Sequence, residues 1–146
     1  MDSKIEQFIQ AKKIAVVGVS RTKGKFGTAI YDELKTRGFE VYGVNPHMEQ
    51  IGSDRCYASL SELAGTVDAA VICLRPPSAA QALRDAAVAG IQKIWLQQGS
   101  QSIETDKTAR ELGLSPVTGK CILMYAGEVK SIHGFHKFFA KVLGQY

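Results

Sequence analysis

Ile14-Ala15-Val16-Val17-Gly18-Val19-Ser20-Arg21-Thr22-Lys23-Gly24-Lys25-Phe26-Gly27 is the stretch on which the fold turns. An unbroken apolar run closed by a glycine predicts a strand buried on both faces, as in a parallel sheet covered by helices. Behind it Phe26, Ala29, Ile30, Leu34 and Arg37 recur at helical spacing until Gly38 ends the helix. The same alternation continues outward. Residues 39–44 predict a second strand, stopped by Asn45-Pro46. Residues 59–63 predict a short helix capped by Ser59. A third strand at 67–74 is broken by Pro76-Pro77, and Ser78 opens an Ala-rich helix that reaches Ala89 and ends at Gly90. A fourth strand is expected at 93–96, a helix capped by Ser102 up to Leu112, and a fifth strand within 115–124. Residues 132–143 form an expected amphipathic helix that turns Phe135, Phe138, Phe139 and Val142 toward the body.

Strands alternating with helices imply parallel pairing through right-handed crossovers. The expected fold is therefore α/β: a doubly wound, Rossmann-like parallel sheet of five strands, in three layers, with a C-terminal amphipathic helix. In such a sheet the crevice opens at the carboxyl ends of the strands, where the strand order reverses. The first strand is central, so the loop after it is where chemistry is expected.

The chain has 146 residues, 45% of them hydrophobic and 22% charged, which fits one globular domain over 1–146. No apolar run is long enough to cross a membrane, and the first residues lack the basic head and apolar stretch of a signal peptide. Cys56, Cys73 and Cys121 are odd in number and widely spaced, which points to neither a disulfide framework nor a zinc site. A reducing cytoplasm is the expected location. The net charge of +4 suits an anionic ligand if the charges are gathered in one place.

They are gathered in the first loop. Arg21, Lys23 and Lys25 fall within five residues, with no acid between Lys13 and Asp32. Gly18 lets the backbone turn and approach a ligand, and the helix that follows offers N–H groups and a positive dipole end. A diphosphate- or triphosphate-like group is the expected partner. Three phosphate-binding patterns can be tested on the letters. A Walker A loop would need Gly-x-x-x-x-Gly-Lys followed by a hydroxyl; here five residues separate Gly18 from Gly24, and Phe26 stands in the hydroxyl position. A nicotinamide-dinucleotide loop would need a glycine at position 20, where Ser20 stands, and an acid after the second strand, where Asn45-Pro46 stands. Arg21 or Lys23 could still take a 2′-phosphate, so NADP stays open.

With these residues in view the chain resembles the small stand-alone CoA-binding domain family, similar to the amino-terminal domain of succinyl-CoA synthetase α subunits. The matching pieces run in order: residues 15–20, Phe26-Gly27, residues 38–46 ending in Val44-Asn45-Pro46, residues 67–72, and 94–99 with Trp95-Leu96-Gln97-Gln98-Gly99. The resemblance implies coenzyme A or an acyl-CoA as ligand. Its pyrophosphate would lie on the loop of Gly18, Val19, Ser20, Arg21, Lys23, Lys25, Phe26 and Gly27. Asn45 and Pro46 would line the adenosine side, with Lys25 or Arg21 near the 3′-phosphate. Leu74, Arg75 and Pro76, with Gln98 and Gly99, would flank the pantetheine arm. Many relatives carry a basic-Cys-Pro segment after strand five, whereas Cys121 here is followed by Ile122. The phosphorylated histidine of the synthetases belongs to a second domain that this chain lacks, so synthetase activity is not carried over.

No catalytic set emerges from the sequence. Lys120 is adjacent to Cys121 but points to the other side of a strand. His133 and His136 share a helix face without a third metal ligand. His47 sits at the crevice rim. No paired carboxylates suit acid–base work. Lys130, Lys137 and Lys141 give the tail helix a solvated basic edge without the interleaved exposed aromatics that nucleic-acid binding wants. The expected function is therefore non-catalytic binding of CoA or an acyl-CoA, with neither nucleic acid, membrane nor metal involved. Two alternatives stand beside it. One is a small NADP-type reductase. The other is an interaction subunit with a vestigial crevice, whose tail helix docks on a protein partner or a second copy.

Overall fold

The structure is a computed structural model that describes residues 3–20 and 25–127. Strand β1 (Lys13–Val17) is followed by helix α2 (Phe26–Thr36), strand β2 (Glu40–Val44), a hairpin of β3 (Gln50–Ile51) and β4 (Asp54–Tyr57), and a 3-10 turn (Leu60–Leu63). Strand β5 (Ala69–Ile72), helix α3 (Pro76–Val88), strand β6 (Lys93–Leu96), helix α4 (Ile103–Leu112) and a second 3-10 turn (Ile122–Met124) complete the order. Helix α1 (Ser3–Ile9) precedes them.

The sheet order is β3-β4-β2-β1-β5-β6. All neighbouring pairs are parallel except β3 with β4. Strand β1 lies between β2 and β5, so the order reverses at its two edges, as the expected doubly wound topology requires. Side-chain alternation divides the core into two layers. Ile14 and Val16 face Ile30 and Leu34 of α2, Phe8 of α1, and Trp95. Ala15 and Val17 face Leu83 and Ala86 of α3, Leu60 and Leu96. Trp95 is fully buried: Phe8 meets it edge-on at 5.3 Å, Tyr125 lies 5.8 Å away, and its Nε1 donates to the Lys120 carbonyl at 2.8 Å. Removing a side chain of this size from water is worth about 3 kcal/mol. Arg37, 2% exposed, pairs through Nε with Glu33 at 3.2 Å and donates from Nη1 to the carbonyls of Leu123 and Ala126. It ties the chain at 123–126 to the end of α2.

The sheet has six strands, not five, and several expectations change. The expected strand within 115–124 is reduced to a single bridge between Trp95 and Val117. Pro116 has no N–H to continue a ladder, and Gly119, at φ 71°, turns the chain into the 3-10 turn. The β3–β4 hairpin takes up a strand position instead. It turns at Gly52-Ser53, a two-residue loop with Gly52 at φ 60°. Helix α3 begins at Pro76 rather than Ser78, because a proline in the first turn loses no intrahelical bond. Ser59 does not cap its turn; the Glu62 carboxylate accepts from the Ala58 N–H there. Ser102 does cap α4, in a reciprocal box with Thr105. The expected tail helix at 132–143, with His133 and His136, lies outside the described residues, as do Arg21 and Lys23. Among the described residues no helix is long and apolar enough to cross a membrane.

Candidate functional site

The two ends of the loop after β1 are drawn together by backbone contact. Gly18 has φ 111°, and a Cβ there would stand 2.3 Å from the Cys73 carbonyl oxygen at the end of β5. A Cβ on Gly27, in the first turn of α2, would stand 2.3 Å from the carbonyl oxygen of Gly18. Both positions therefore need glycine, and together they bring the start of α2 against the end of β1. Val19 is fully buried in the core. Ser20 is pinned on both sides by Thr28, whose Oγ1 accepts from the Ser20 N–H at 2.8 Å and donates to its carbonyl at 2.9 Å. Asn45 braces the loop from β2: its Nδ2 donates to the Val19 carbonyl at 2.7 Å, while its Oδ1 accepts from the His47 N–H at 2.8 Å. Lys25 is exposed at the mouth of α2 and makes no side-chain cap bond.

Two hollows flank this loop at the carboxyl edge of the sheet. The larger, about 520 Å³, lies on the α3 side. It is walled by Val17 and Gly18, by Val44, Asn45, Pro46 and His47 after β2, by Ala58, Ser59 and Leu60, and by the α3 face of Ser78, Gln81, Ala82 and Asp85. Within that face Gln81 Nε2 donates to Asp85 Oδ1 at 3.1 Å, leaving a carboxylate oxygen as an acceptor. The smaller, about 220 Å³, is walled by Phe26, Cys73, Leu74, Arg75, Gln97, Gln98, Gly99 and Ser100. Leu74 belongs to both walls, so it forms the divide between them. A ligand crossing Leu74 would pass the Gly18 loop on its way between the hollows.

Of the residues the sequence singled out, Gly18, Asn45, Pro46 and Leu74 meet at the larger hollow. Phe26, Leu74, Arg75, Gln98 and Gly99 meet at the smaller. Val19, Ser20, Lys25 and Gly27 build the loop between them, and Pro76 opens α3 outside both walls. His47 does reach the larger hollow. Sequence reasoning passed over Gln81 and Asp85, and gave Cys73 and Gln97 no place beside the ligand. The first two share a face of α3 at i, i+4 spacing, a pattern visible in the letters. Burial raises the Cys73 thiol far above its usual range, so it stays neutral on the wall. Cys121 is buried.

A doubly wound sheet, with a glycine-drawn loop at its order reversal and a two-part crevice on its carboxyl edge, has the form in which open α/β sheets bind ligands. The family follows from sequence: residues 12–126 match the CoA binding domain, and the chain belongs to that family. The expected CoA-binding family is thereby borne out. An ADP-forming acetate–CoA ligase II of Archaeoglobus fulgidus is 34% identical over 100 residues, 67% of this chain. The chain spans only 10–20% of the length of the acetate–CoA ligases it matches. A conserved hypothetical protein of Pyrococcus furiosus superposes with a TM-score of 0.72 at 37% identity, over 76% of this chain and 96% of that one. The dinucleotide-forming acetyl-coenzyme A synthetase 1 of Ca. Korarchaeum cryptofilum, in its apo form, superposes at 0.59 with 26% identity, over 72% of this chain and 25% of that one.

Proposed function

We propose that this domain binds coenzyme A as a carrier or sensing module, with the ligand laid across the carboxyl edge of the sheet. The reading is carried by one observation: two hollows of unequal size share Leu74 and flank the glycine-drawn loop. The residues present fit the ligand. Phosphates would sit on the loop, against Lys25 and, by sequence, Arg21 and Lys23. The Asp85 carboxylate repels phosphate from the α3 side, so the base would go there, its exocyclic amino group donating to Asp85. Pro46 and Leu60 would flank the base, and the arm would cross Leu74 toward Gln98-Gly99. The neutral thiol of Cys73 suits a passive wall better than a nucleophile. At the end of β2 the side chain is Asn45, already engaged with Val19 and His47, where a dinucleotide ribose would want a free carboxylate.

Isothermal titration against CoA, dephospho-CoA and NADP tests this. CoA is expected to bind most tightly, and Lys25→Ala to weaken it by about 1–3 kcal/mol if Lys25 holds a phosphate. Tight NADP binding without a response to CoA would overturn the reading in favour of the reductase alternative.

A further inference from the structure

Among the residues that line the smaller hollow, Gln97 carries a buried hydrogen-bond donor that has no partner in the protein. Gln97 is 1% exposed at the end of β6. Its Oε1 accepts from the Ile122 N–H at 3.0 Å, and its Nε2 has no hydrogen-bond partner. The orientation of the amide is not arbitrary. A backbone N–H can be met only by the oxygen, so the amino group must be the end that faces elsewhere. Buried polar groups are almost always satisfied, and an unsatisfied one at a cavity wall marks a place kept for something else.

The surroundings narrow what that is. Phe26, Cys73 and Leu74 give the wall an apolar character, and burial keeps the Cys73 thiol neutral. Ser100 cannot serve a ligand well: its hydroxyl donates to the Ile72 carbonyl and accepts from the Leu74 N–H, both at 3.1 Å. Arg75 and Gln98 add polar groups to the same wall, and what the Gln97 amino group calls for is an acceptor carried on a chain with apolar bulk. At about 220 Å³ the hollow is below the usual size of a whole-ligand site and suits the end of an arm.

The geometry points to Gln97 as a specificity-determining residue that selects acyl-CoA over free CoA, its Nε2 donating to the thioester carbonyl oxygen. This rests on the CoA reading above and deepens it. Free CoA ends in a thiol, a poor acceptor that would leave the amino group unsatisfied; a thioester adds a carbonyl oxygen. The recognition is of the carbonyl, so the small acyl groups share it.

The test compares three ligands on the intact chain by isothermal titration: CoA, acetyl-CoA, and S-ethyl-CoA, a thioether of similar bulk that lacks the carbonyl. Acetyl-CoA is expected to bind about tenfold more tightly than S-ethyl-CoA, the usual range for filling a buried vacant donor. In Gln97→Met that ratio should fall to about one. The wild-type ratio stands whether or not the variant folds. Equal affinity of the wild type for acetyl-CoA and S-ethyl-CoA, with CoA bound, overturns this inference and leaves the CoA reading intact. A ratio that persists in folded Gln97→Met moves the carbonyl contact to another residue and overturns it too. Failure of all three ligands to bind overturns the CoA reading itself, and the selection by Gln97 with it.

Discussion

Gly27, like Gly18, is a residue at which the site is sensitive to a single atom. Its missing Cβ would fall 2.3 Å from the carbonyl oxygen of Gly18, and this contact is backbone on backbone, so no side chain can swing aside to relieve it. Gly27→Ala must therefore push the start of α2 away from the end of β1. The expected cost is about 1–3 kcal/mol of stability, the usual range for overpacking, together with a loss of CoA affinity as the loop amides move off the phosphates. Urea denaturation and titration on the same variant check both; an alanine variant with native affinity would take the loop out of the site. Gly18 and Gly27 are legible in the sequence because close approach forbids any other residue, and that prohibition leaves a fixed letter behind. Gln97 is not legible in the same way. Its meaning depends on Ile122, 25 residues further on, claiming one end of its amide and leaving the other. No local pattern of letters encodes that.

Among the elements, the β3–β4 hairpin is fastened to α2 by a small charged group that makes its docking depend on pH. The Asp54 carboxylate accepts from Tyr31 Oη at 2.7 Å and pairs with Lys35. Lys35, and then Tyr31, hold the Asp54 carboxyl below its ordinary range, while burial and the hydrogen bond to Asp54 raise the Tyr31 hydroxyl above its own. For Asp54 the folded value lies under the unfolded one, so its contribution is complete above the usual carboxylate range, near about 4, and is lost as pH falls through the folded value. Tyr31 has the opposite sign: its contribution is complete below about 10 and is lost as pH rises above that. Asp54 and Lys35 are both substantially exposed, so the acid-side effect is at most about 1 kcal/mol. Urea midpoints at pH 6 and pH 2.5 should differ more in the wild type than in Asp54→Asn; identical differences would dissolve the link. The hairpin itself is half-legible. The Gly52-Ser53 turn is the right length and composition, but Gln50-Ile51 is too short for an alternation to register. Helix α1 had a signal in Ile5, Phe8 and Ile9 at i, i+3, i+4 spacing. The expected fifth strand misled because Val117 and the apolar residues 121–124 read the same whether the segment pairs along its length or at Val117 alone.

At the scale of the whole molecule, the sequence foretells the sheet and the location of the crevice but not its division. The larger hollow is walled from the layer of α3 and the smaller from the layer of α2, and among the described residues the two share Leu74, over the edge of the sheet. Alternation carried past the end of β5 sets this up: Cys73 packs with the α2 layer and Leu74 with the α3 layer, so neighbouring residues serve opposite faces. A ligand that fills both hollows is a single tether between the two layers, and this has a thermodynamic consequence. The nucleotide end, 3′-phospho-ADP, and the free arm, pantetheine, should each bind alone, but weakly, because only a covalent link makes the second contact intramolecular. At 100-fold over its dissociation constant CoA should add about 2.7 kcal/mol of stability, a rise in melting temperature of roughly 5–10 °C for a chain of this length. An equimolar mixture of the two fragments at that same concentration should give a much smaller rise, and CoA should retain its advantage in high salt, where the phosphate contacts are screened but the apolar contacts of the arm are not. If the mixture matches CoA in a thermal melt, the hollows act as separate sites and no ligand bridges them at Leu74.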